Sequence, residues 1–253
     1  MIWGLLYLIA VLAGGGTESP YLNPDLEKVL KEVIADADRR KEALEIAKEY
    51  KAEWKTFNKK RKKDIKMGKA YNKERIADHA ALAEAFEQSR EQRKAVQQKA
   101  VEVRLKIQEL MTSGEWASAM DRILTVRDKD AKKLDKAETK SKIAQDKLFD
   151  GLRKQLEKSF SDPSQLEKAR NAQQDYENDL VNWIMDFQSF TYRDVEIFQR
   201  QDASRQELEN EVDKLNGYRE KIDNSFLGFR TELVELSTEE NWPGIAKALA
   251  KFY

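Results

Sequence analysis

The feature that most limits the fold of this chain is a long stripe of apolar residues at heptad spacing, which occurs twice. In its first occurrence the stripe runs through Leu82, Phe86, Ser89, Arg93, Val96, Ala100, Val103, Ile107 and Leu110. Side chains with this spacing share one face of an α-helix and pack against a neighbouring helix. The stretch from about 72 to 111 is therefore predicted to form one long helix.

The stripe recurs 126 residues later, at Leu208, Val212, Leu215, Arg219, Ile222, Phe226, Phe229, Leu233 and Leu236. Just beyond the two stripes, ELMTSGEW at 109–116 aligns without a gap to ELSTEENW at 235–242. Two unrelated heptad helices would share a phase at this offset about one time in seven, because the offset is a multiple of seven. The shared arginine, threonine and tryptophan positions favour an internal duplication over that coincidence.

Residues that stop helices are scarce, since 253 residues include only four prolines and ten glycines. A sheet protein would need turn residues at much shorter intervals. We therefore predict an all-α fold, an elongated antiparallel bundle of long, coiled-coil-like helices with an internal duplication at an offset of 126.

The predicted first helix has Asn23 as its cap and Pro24 at its first position, carries heptad positions from Leu26 to Trp54, and ends near Gly68. A charged helix is predicted over 127–160, and Ser161 or Asp162 caps a further helix from Pro163 to about 200. Asp202 either caps the last long helix or lies within a continuous rod. Short, tryptophan-led helices are expected after Thr112 and Thr238.

Four segments follow from this pattern. Residues 1–16 are predicted to be a signal peptide or hydrophobic anchor, and residues 17–23 a tether. Residues 24–125 and 126–253 are predicted to form two helical units, packed as one continuous bundle.

The composition argues against most catalytic chemistry. Lysine plus arginine and aspartate plus glutamate number 46 each, so a zero net charge gives no general attraction for nucleic acid. There is no cysteine and the only histidine is His79, which removes thiolate sites and most histidine-based schemes. No glycine-rich phosphate loop, HExxH or GxSxG motif is present. We predict that the protein is not an enzyme and has neither a cofactor nor a metal site.

The N-terminal segment IWGLLYLIAVLA, residues 2–13, is almost wholly apolar. A helix of this length reaches about 18 Å, whereas a bilayer requires roughly 20 residues. The segment instead has the length of the hydrophobic region of a signal peptide.

The end of this segment, Leu12-Ala13-Gly14, resembles the first three positions of a bacterial lipobox. The polar residues from Gly16 to Pro20 resemble the tether that follows one. Gly15 stands where that family carries its lipid-modified cysteine, so the thiol for acylation is missing. Three interpretations follow: a lost or replaced lipidation cysteine, ordinary secretion with cleavage near Ala13, or an uncleaved anchor. Each places the rest of the chain in the periplasm or elsewhere outside the cytoplasm, or beside a membrane. In architecture, the body resembles helical cell-wall-binding lipoproteins of bacteria.

The densest group of cations lies between Lys51 and Lys69, where nine lysines and arginines face only Glu53 and Asp64. The candidate contact residues are Lys59, Lys60, Arg61, Lys62, Lys63 and Lys66. Such a group suits phospholipid headgroups, a phosphate-bearing wall polymer or, least favoured, nucleic acid. The hydrophobic leader argues against a nuclear location. The structural alternative is a solvated helix end whose cations favour the C-terminal dipole.

Two further pairs stand out. Arg93 and Arg219 occupy apolar heptad positions, and we expect them to fix helix register beside a carboxylate partner rather than to bind a ligand. Trp116 and Trp242 are expected to cover the bundle ends, with an anchor for a partner or membrane as the alternative. The aromatic stretch 183–198 is predicted to be core, with a ligand groove as the alternative.

These features favour a non-catalytic scaffold or adaptor of the bacterial cell envelope. It would contact a membrane surface or wall polymer through its cations, and a protein partner through its helix faces. One alternative is a BAR-like membrane-remodelling homodimer, which requires cations spread over a concave face. Another is a periplasmic chaperone or hydrophobic-ligand carrier that uses the aromatic stretch.

Overall fold

The computed structural model describes the backbone of residues 26–71, 73–75, 79–193 and 195–250, and all side chains there except those at 65, 69, 79, 124, 126–146, 184–195 and 198. This part of the chain contains eight helices and no strand, which confirms the predicted all-α helical bundle. The helices are α1 Leu26–Val33, α2 Ala37–Tyr71, α3 His79–Leu110, α4 Ser113–Ser159, α5 Pro163–Arg193, α6 Val195–Gln199, α7 Arg205–Leu236 and α8 Trp242–Leu249.

The predicted leader, its tether and the Asn23–Pro24 helix start lie outside the described residues. Among the helices in the described ranges, none combines the length and apolar character needed to cross a membrane.

The prediction of one continuous first helix is wrong, because the chain breaks between α1 and α2. Asp36 caps α2, since its Oδ1 accepts the backbone N–H of Arg39 at 2.8 Å. The Arg40 side chain donates to the carbonyls of Ile34 and Ala35, at 3.0 and 3.2 Å. These contacts give partners to backbone groups that helix ends leave free, so α1 can end and pack against α2.

The prediction of a short helix after Trp116, followed by a separate helix from 127, is also wrong. The side chain of Thr112 accepts the backbone N–H of Glu115 at 3.3 Å, and the Glu115 carboxylate accepts the N–H of Thr112 at 2.9 Å. From this capping box, α4 continues for 47 residues, about 70 Å. No proline occurs in it to stop the helix.

The later helices follow the predicted order with altered ends. Asp162 caps α5, and its Oδ1 accepts the backbone N–H of Ser164 at 2.7 Å. The helix predicted from Pro163 to about 200 is described as α5 and α6, on either side of residue 194, which lies outside the described residues. Ser204 caps α7 together with Glu207, and Asp202 lies in the turn before it. Both alternatives for Asp202, a cap or a place within a continuous rod, are therefore wrong.

The described apolar side chains form two cores. One lies among α1, α2, α3 and the start of α4, and the other among the end of α4, α5, α7 and α8. Each core contains side chains from both halves of the chain. Leu208 and Val212 of α7 are buried in the first core, and Phe86 of α3 packs against the second. The predicted boundary at 125/126 falls within α4, and each core uses residues from both sides of it.

At the centre of the molecule, α3 and α7 run antiparallel. The ring centroids of Phe86 and Phe226 lie 6.3 Å apart, and the Asn216 amide donates to Gln97 Oε1 at 2.9 Å. As the numbers rise along α3, those of the contacted residues fall along α7.

Residues 126 apart occupy matching places in the two halves. Helices α2 and α5 start 126 positions apart, and helices α3 and α7 end 126 positions apart. The buried alanines Ala43 and Ala169 match in this way, as do the buried tyrosines Tyr50 and Tyr176. A duplicated unit would produce these correspondences, although the duplication itself stays a prediction.

Candidate functional site

The predicted basic residues lie on the last third of α2, along its side rather than at its end. The exposed members are Lys59, Lys60, Lys62, Lys63 and Lys66. Arg61 differs from them, because it is half-buried and its Nη1 donates to Asn58 Oδ1 at 2.6 Å. Phe57 is buried beside the half-buried Trp54, with ring centroids 5.6 Å apart. The two aromatic rings therefore pack inward while the lysines face solvent.

Helical geometry adds Lys48 and Lys55, which are not among the predicted contact residues. At 3.6 residues per turn, both fall within the same arc of about 100° as four of the predicted residues, and both are exposed. We call this set the lysine surface: Lys48, Lys55, Lys59, Lys62, Lys63 and Lys66. It extends about 27 Å along the axis of α2. Lys60 lies to one side of it.

The lysine surface has no internal counterions in the described structure. Among the side chains that the structure describes, none of its lysines forms an ion pair, whereas neighbouring Lys51 donates to Glu27 at 2.7 Å. Within the described residues, only Lys48 of this set interacts with an acidic group, since after the hydrogen bond from Lys51 its charge helps to lower the pKa of Glu27. The other lysines form a row without ion pairs among the described side chains, and such a row produces a local positive potential even in a chain of zero net charge. The surface can therefore attract an anion.

The matching helix of the other half lacks these lysines. Helix α5 begins 126 positions after α2, and the residues that correspond to the lysine surface are Gln174, Val181, Met185, Gln188, Ser189 and Tyr192. A helix at the equivalent place thus forms with no lysine at any of the corresponding positions. The fold does not require the lysine surface.

Arg93 and Arg219 are buried where α3 crosses α7, between the Phe86–Phe226 and Gln97–Asn216 contacts. Two carboxyl groups belong to this cluster: Asp223, and Glu220, whose Oε1 lies 3.8 Å from Arg90 Nη1. Burial raises the pKa of Asp223 to about 6, and the charges of Arg93, Arg90 and Arg219 act in the opposite direction. Sliding one helix along the other would separate these charges, which is the physical basis of the predicted role of Arg93 and Arg219 in fixing helix register; that role stays a prediction.

Trp116 and Trp242 are buried, 5% and 1% exposed, each beside a buried arginine. The Arg104 guanidinium carbon lies 5.0 Å from the Trp116 ring centroid, and that of Arg230 lies 5.2 Å from the Trp242 ring centroid. Cations over indole faces are attracted by the ring electrons. The rings therefore pack inside the bundle and are not presented to a partner.

Arg104 and Arg230 were missed in the sequence, although they too are 126 positions apart. Arg104 Nη2 donates to the Arg200 carbonyl at 2.9 Å, and Arg230 Nη2 donates to the Glu74 carbonyl at 2.8 Å. The two acceptors are again 126 positions apart, and each belongs to the opposite half of the chain. Each half therefore binds the turn of the other through the same type of contact.

Of the predicted aromatic stretch, Trp183 is half-buried, and Lys221 Nζ lies 4.9 Å from its ring centroid. The side chains at 184–195 and 198 lie outside the described set. In the described part of the chain, no group of three or more His, Cys, Asp or Glu side chains could hold a metal ion.

No known protein family matches the chain, and searches of curated proteins and of solved structures find no similar protein. Among the described residues, the feature with the clearest capacity for binding is the lysine surface.

Proposed function

We propose that this protein is a non-catalytic scaffold or adaptor of the bacterial cell envelope that contacts an anionic partner through the lysine surface of α2. The observation that carries this proposal is the row of exposed lysines without ion-pair partners among the described side chains. The matching positions on α5 have no lysine, so a structural need does not account for the row.

The proposed location rests on the N-terminal segment. Its apolar run and the Leu12-Ala13-Gly14 sequence favour export, and the long helices suit a spacer that stands away from a surface. The lysines lie along one helix, which fits contact with an anionic partner better than a broad concave membrane-binding face.

We also propose that the two halves are tandem copies of one helical unit. The paired helix starts, the paired buried residues and the reciprocal Arg104 and Arg230 contacts support this origin. In a duplicated frame, one copy can acquire a binding surface while the other keeps the fold.

The binding role is tested by co-sedimentation of the full chain with anionic phosphatidylglycerol vesicles and with a phosphate-bearing wall polymer. The lysine-surface variant carries Lys55→Glu, Lys59→Glu, Lys62→Glu, Lys63→Glu and Lys66→Glu. We expect the wild-type chain to sediment with at least one of the two anions and the variant to remain in solution.

A matched control carries five substitutions at exposed lysines elsewhere: Lys106→Glu, Lys154→Glu, Lys158→Glu, Lys168→Glu and Lys247→Glu. It has the same net charge as the lysine-surface variant, so it separates a local contact from a general charge effect. If the wild-type chain bound neither anion, the proposed contact of the lysine surface with an anionic partner would be contradicted.

The location is tested by intact mass and cell fractionation of the chain expressed with its own leader in a bacterial host. A Gly15→Cys version should gain a diacylglyceryl mass and move to the membrane if the segment is a disabled lipobox. Retention of Met1 and a cytosolic location for both versions would contradict an envelope protein.

A further inference from the structure

From the geometry of α2 we propose that the lysine surface binds a flexible, linear polymer of phosphate groups that carries no bases, laid along the helix axis. This inference rests on the proposed anionic contact and names the class of anion. A glycerol-phosphate polymer and inorganic polyphosphate share the required chemistry.

The lysines form a line rather than a patch. Lys55, Lys59, Lys62 and Lys66 follow one another at intervals of three or four residues, about 4.5 to 6 Å along the axis. Extended phosphate chains place their charges at intervals of similar size, as each strand of a nucleic acid does at ~3.4 Å of axial rise. One polymer strand can therefore meet successive lysines without leaving the face of one helix.

Acidic residues limit the width of the surface. Helix α2 packs against α3, and the first half of α3 carries the exposed carboxylates Glu84, Glu87 and Glu91, of which Glu87 pairs with Arg90. On α2 itself, Glu49 and Glu53 are exposed to one side of the row. A flat anionic bilayer that covered both helices would meet these carboxylates, whereas a single strand on α2 would not.

The same face carries no aromatic ring on which a base could stack. Between the lysines it presents Ala52 and Thr56, and the nearest rings, Trp54 and Phe57, point to the opposite side of α2 and contact each other. Binding of single-stranded nucleic acid normally combines a cationic groove with such aromatic platforms. The surface therefore suits phosphate without bases.

The test measures binding of the full chain by sedimentation or fluorescence anisotropy to four probes at equal phosphate concentration. These are long-chain inorganic polyphosphate, tripolyphosphate, a poly(glycerol phosphate), and oligo(dT); phosphatidylglycerol vesicles are measured in parallel. We expect binding to one or both base-free polymers, at least about tenfold tighter than to tripolyphosphate, because a short chain reaches few of the lysines. The relative affinities of the two base-free polymers distinguish the two sources of phosphate.

Salt dependence reports how many lysines take part. With about five phosphate contacts on a flexible chain, the logarithm of the association constant should fall with the logarithm of salt concentration with a slope of about −3.5. The lysine-surface variant should lose at least about tenfold in affinity, and the matched control with the same net charge should keep most of it. A second variant changes the same five lysines to glutamine, which also favours helix formation. It tests the loss of binding even if the glutamate variant does not fold.

The outcomes separate this inference from the proposed function. Vesicle binding without polymer binding would overturn the inference and leave the anionic contact standing, whereas binding to no probe would overturn both. Binding of oligo(dT) as tightly as of polyphosphate would overturn the preference for base-free chains. Equal losses in the lysine-surface variant and the matched control would show a general charge effect and also overturn it.

Discussion

Arg39 on α2 and Glu115 on α4 form a two-pronged ion pair: Nη1 donates to Oε2 at 2.7 Å and Nη2 donates to Oε1 at 3.1 Å. The same carboxylate accepts the backbone N–H of Thr112 at 2.9 Å and that of Ala35 at 3.0 Å. One side chain thereby fastens the α1–α2 break to the start of α4. The hydrogen bonds from Arg39 and then from Thr112 lower the pKa of Glu115 to about 2.

Replacing the Glu115 carboxylate should reduce the change in the free energy of unfolding between neutral and acidic pH. Because the pKa of Glu115 is lower in the folded chain than its ordinary 4.5, its stabilisation is complete above pH 4.5 and is lost as pH falls toward 2. We expect Glu115→Gln to lower the free energy of unfolding at pH 7 by about 1–2 kcal/mol, with Arg39 partly exposed to solvent. Urea unfolding between pH 7 and pH 2.5 should show the two proteins converging.

The second half offers an uncharged control. At the position that matches Glu115, Asn241 Oδ1 accepts the backbone N–H of Thr238 at 2.8 Å. Asn241→Ala should therefore lower stability by a similar amount at every pH. A constant Glu115→Gln effect down to pH 2.5 would contradict the role assigned to the charge.

The two buried tryptophans should respond differently to the loss of the indole N–H. Trp116 Nε1 donates to the Gln199 carbonyl at 2.6 Å, whereas Trp242 Nε1 has no hydrogen-bond partner among the described residues. Substitution by phenylalanine removes ring volume in both cases but breaks a hydrogen bond only in Trp116→Phe. We expect Trp116→Phe to cost about 1–2 kcal/mol more than Trp242→Phe in chemical denaturation. Equal costs would mean that the Gln199 contact adds no net stability.

Asp223 should destabilise the fold at neutral pH. Its pKa is raised from 3.8 to about 6 by burial, so the folded chain holds the proton more tightly than the unfolded chain does. The contribution of Asp223 to the free energy of unfolding is therefore most favourable below pH 3.8 and is lost as pH rises through 6. Asp223→Asn should raise the free energy of unfolding at pH 7.5 by on the order of 1 kcal/mol and leave it unchanged near pH 3.5.

The exposed Asp213 on the same helix provides the control, since Asp213→Asn removes a charge without touching the cluster. If Asp223→Asn instead lowers stability at pH 7.5, the attraction of Arg93 and Arg219 for the carboxylate exceeds the effect of burial.

Arg104 and Arg230 should contribute independently, because about 33 Å of helix separates the parts of α3 and α7 that carry them. Lysine keeps the charge but loses the flat guanidinium that contacts both a carbonyl and an indole. We expect Arg104→Lys and Arg230→Lys each to cost about 1–3 kcal/mol. The double variant should show the sum within about 0.5 kcal/mol, as distant sites do. A large departure from additivity in thermal or urea unfolding would show that the two ends are coupled.

The sequence predicts the helical class well because long heptad stripes and scarce prolines leave few other folds. It predicts the break at Asp36 poorly, since Ile34 and Ala35 are ordinary helix residues and no proline marks the site. The offset of 126 could have revealed it, because Asp36 matches Asp162, where the punctuating SDPS sequence is easy to see. The break depends on distant contacts as well, and Glu115 is not visible as a partner of Ala35 from local pattern.

The candidate site could be predicted only in part from the sequence, because its members are neighbours on the helix surface and not along the chain. A run of adjacent basic residues in the sequence points to Lys59–Lys63. The exposed face of a helix instead groups residues at intervals of three and four, so it includes Lys48 and Lys55 and leaves out the half-buried Arg61. Arg104 and Arg230 lie next to apolar heptad positions and look solvated in the sequence. Their burial follows from turns of the opposite half, whose position no local pattern gives.

Since Arg104 and Arg230 each bind a carbonyl of the opposite half, the halves hold each other by contacts that do not depend on the α4 peptide chain. Both cores also contain side chains from both halves. A protease that cut α4 between the cores would yield two fragments that remain associated, in the manner of a heterodimer. The intact backbone acts there as a tether that keeps the partners at high effective concentration, and two separately made polypeptides should assemble into the same bundle.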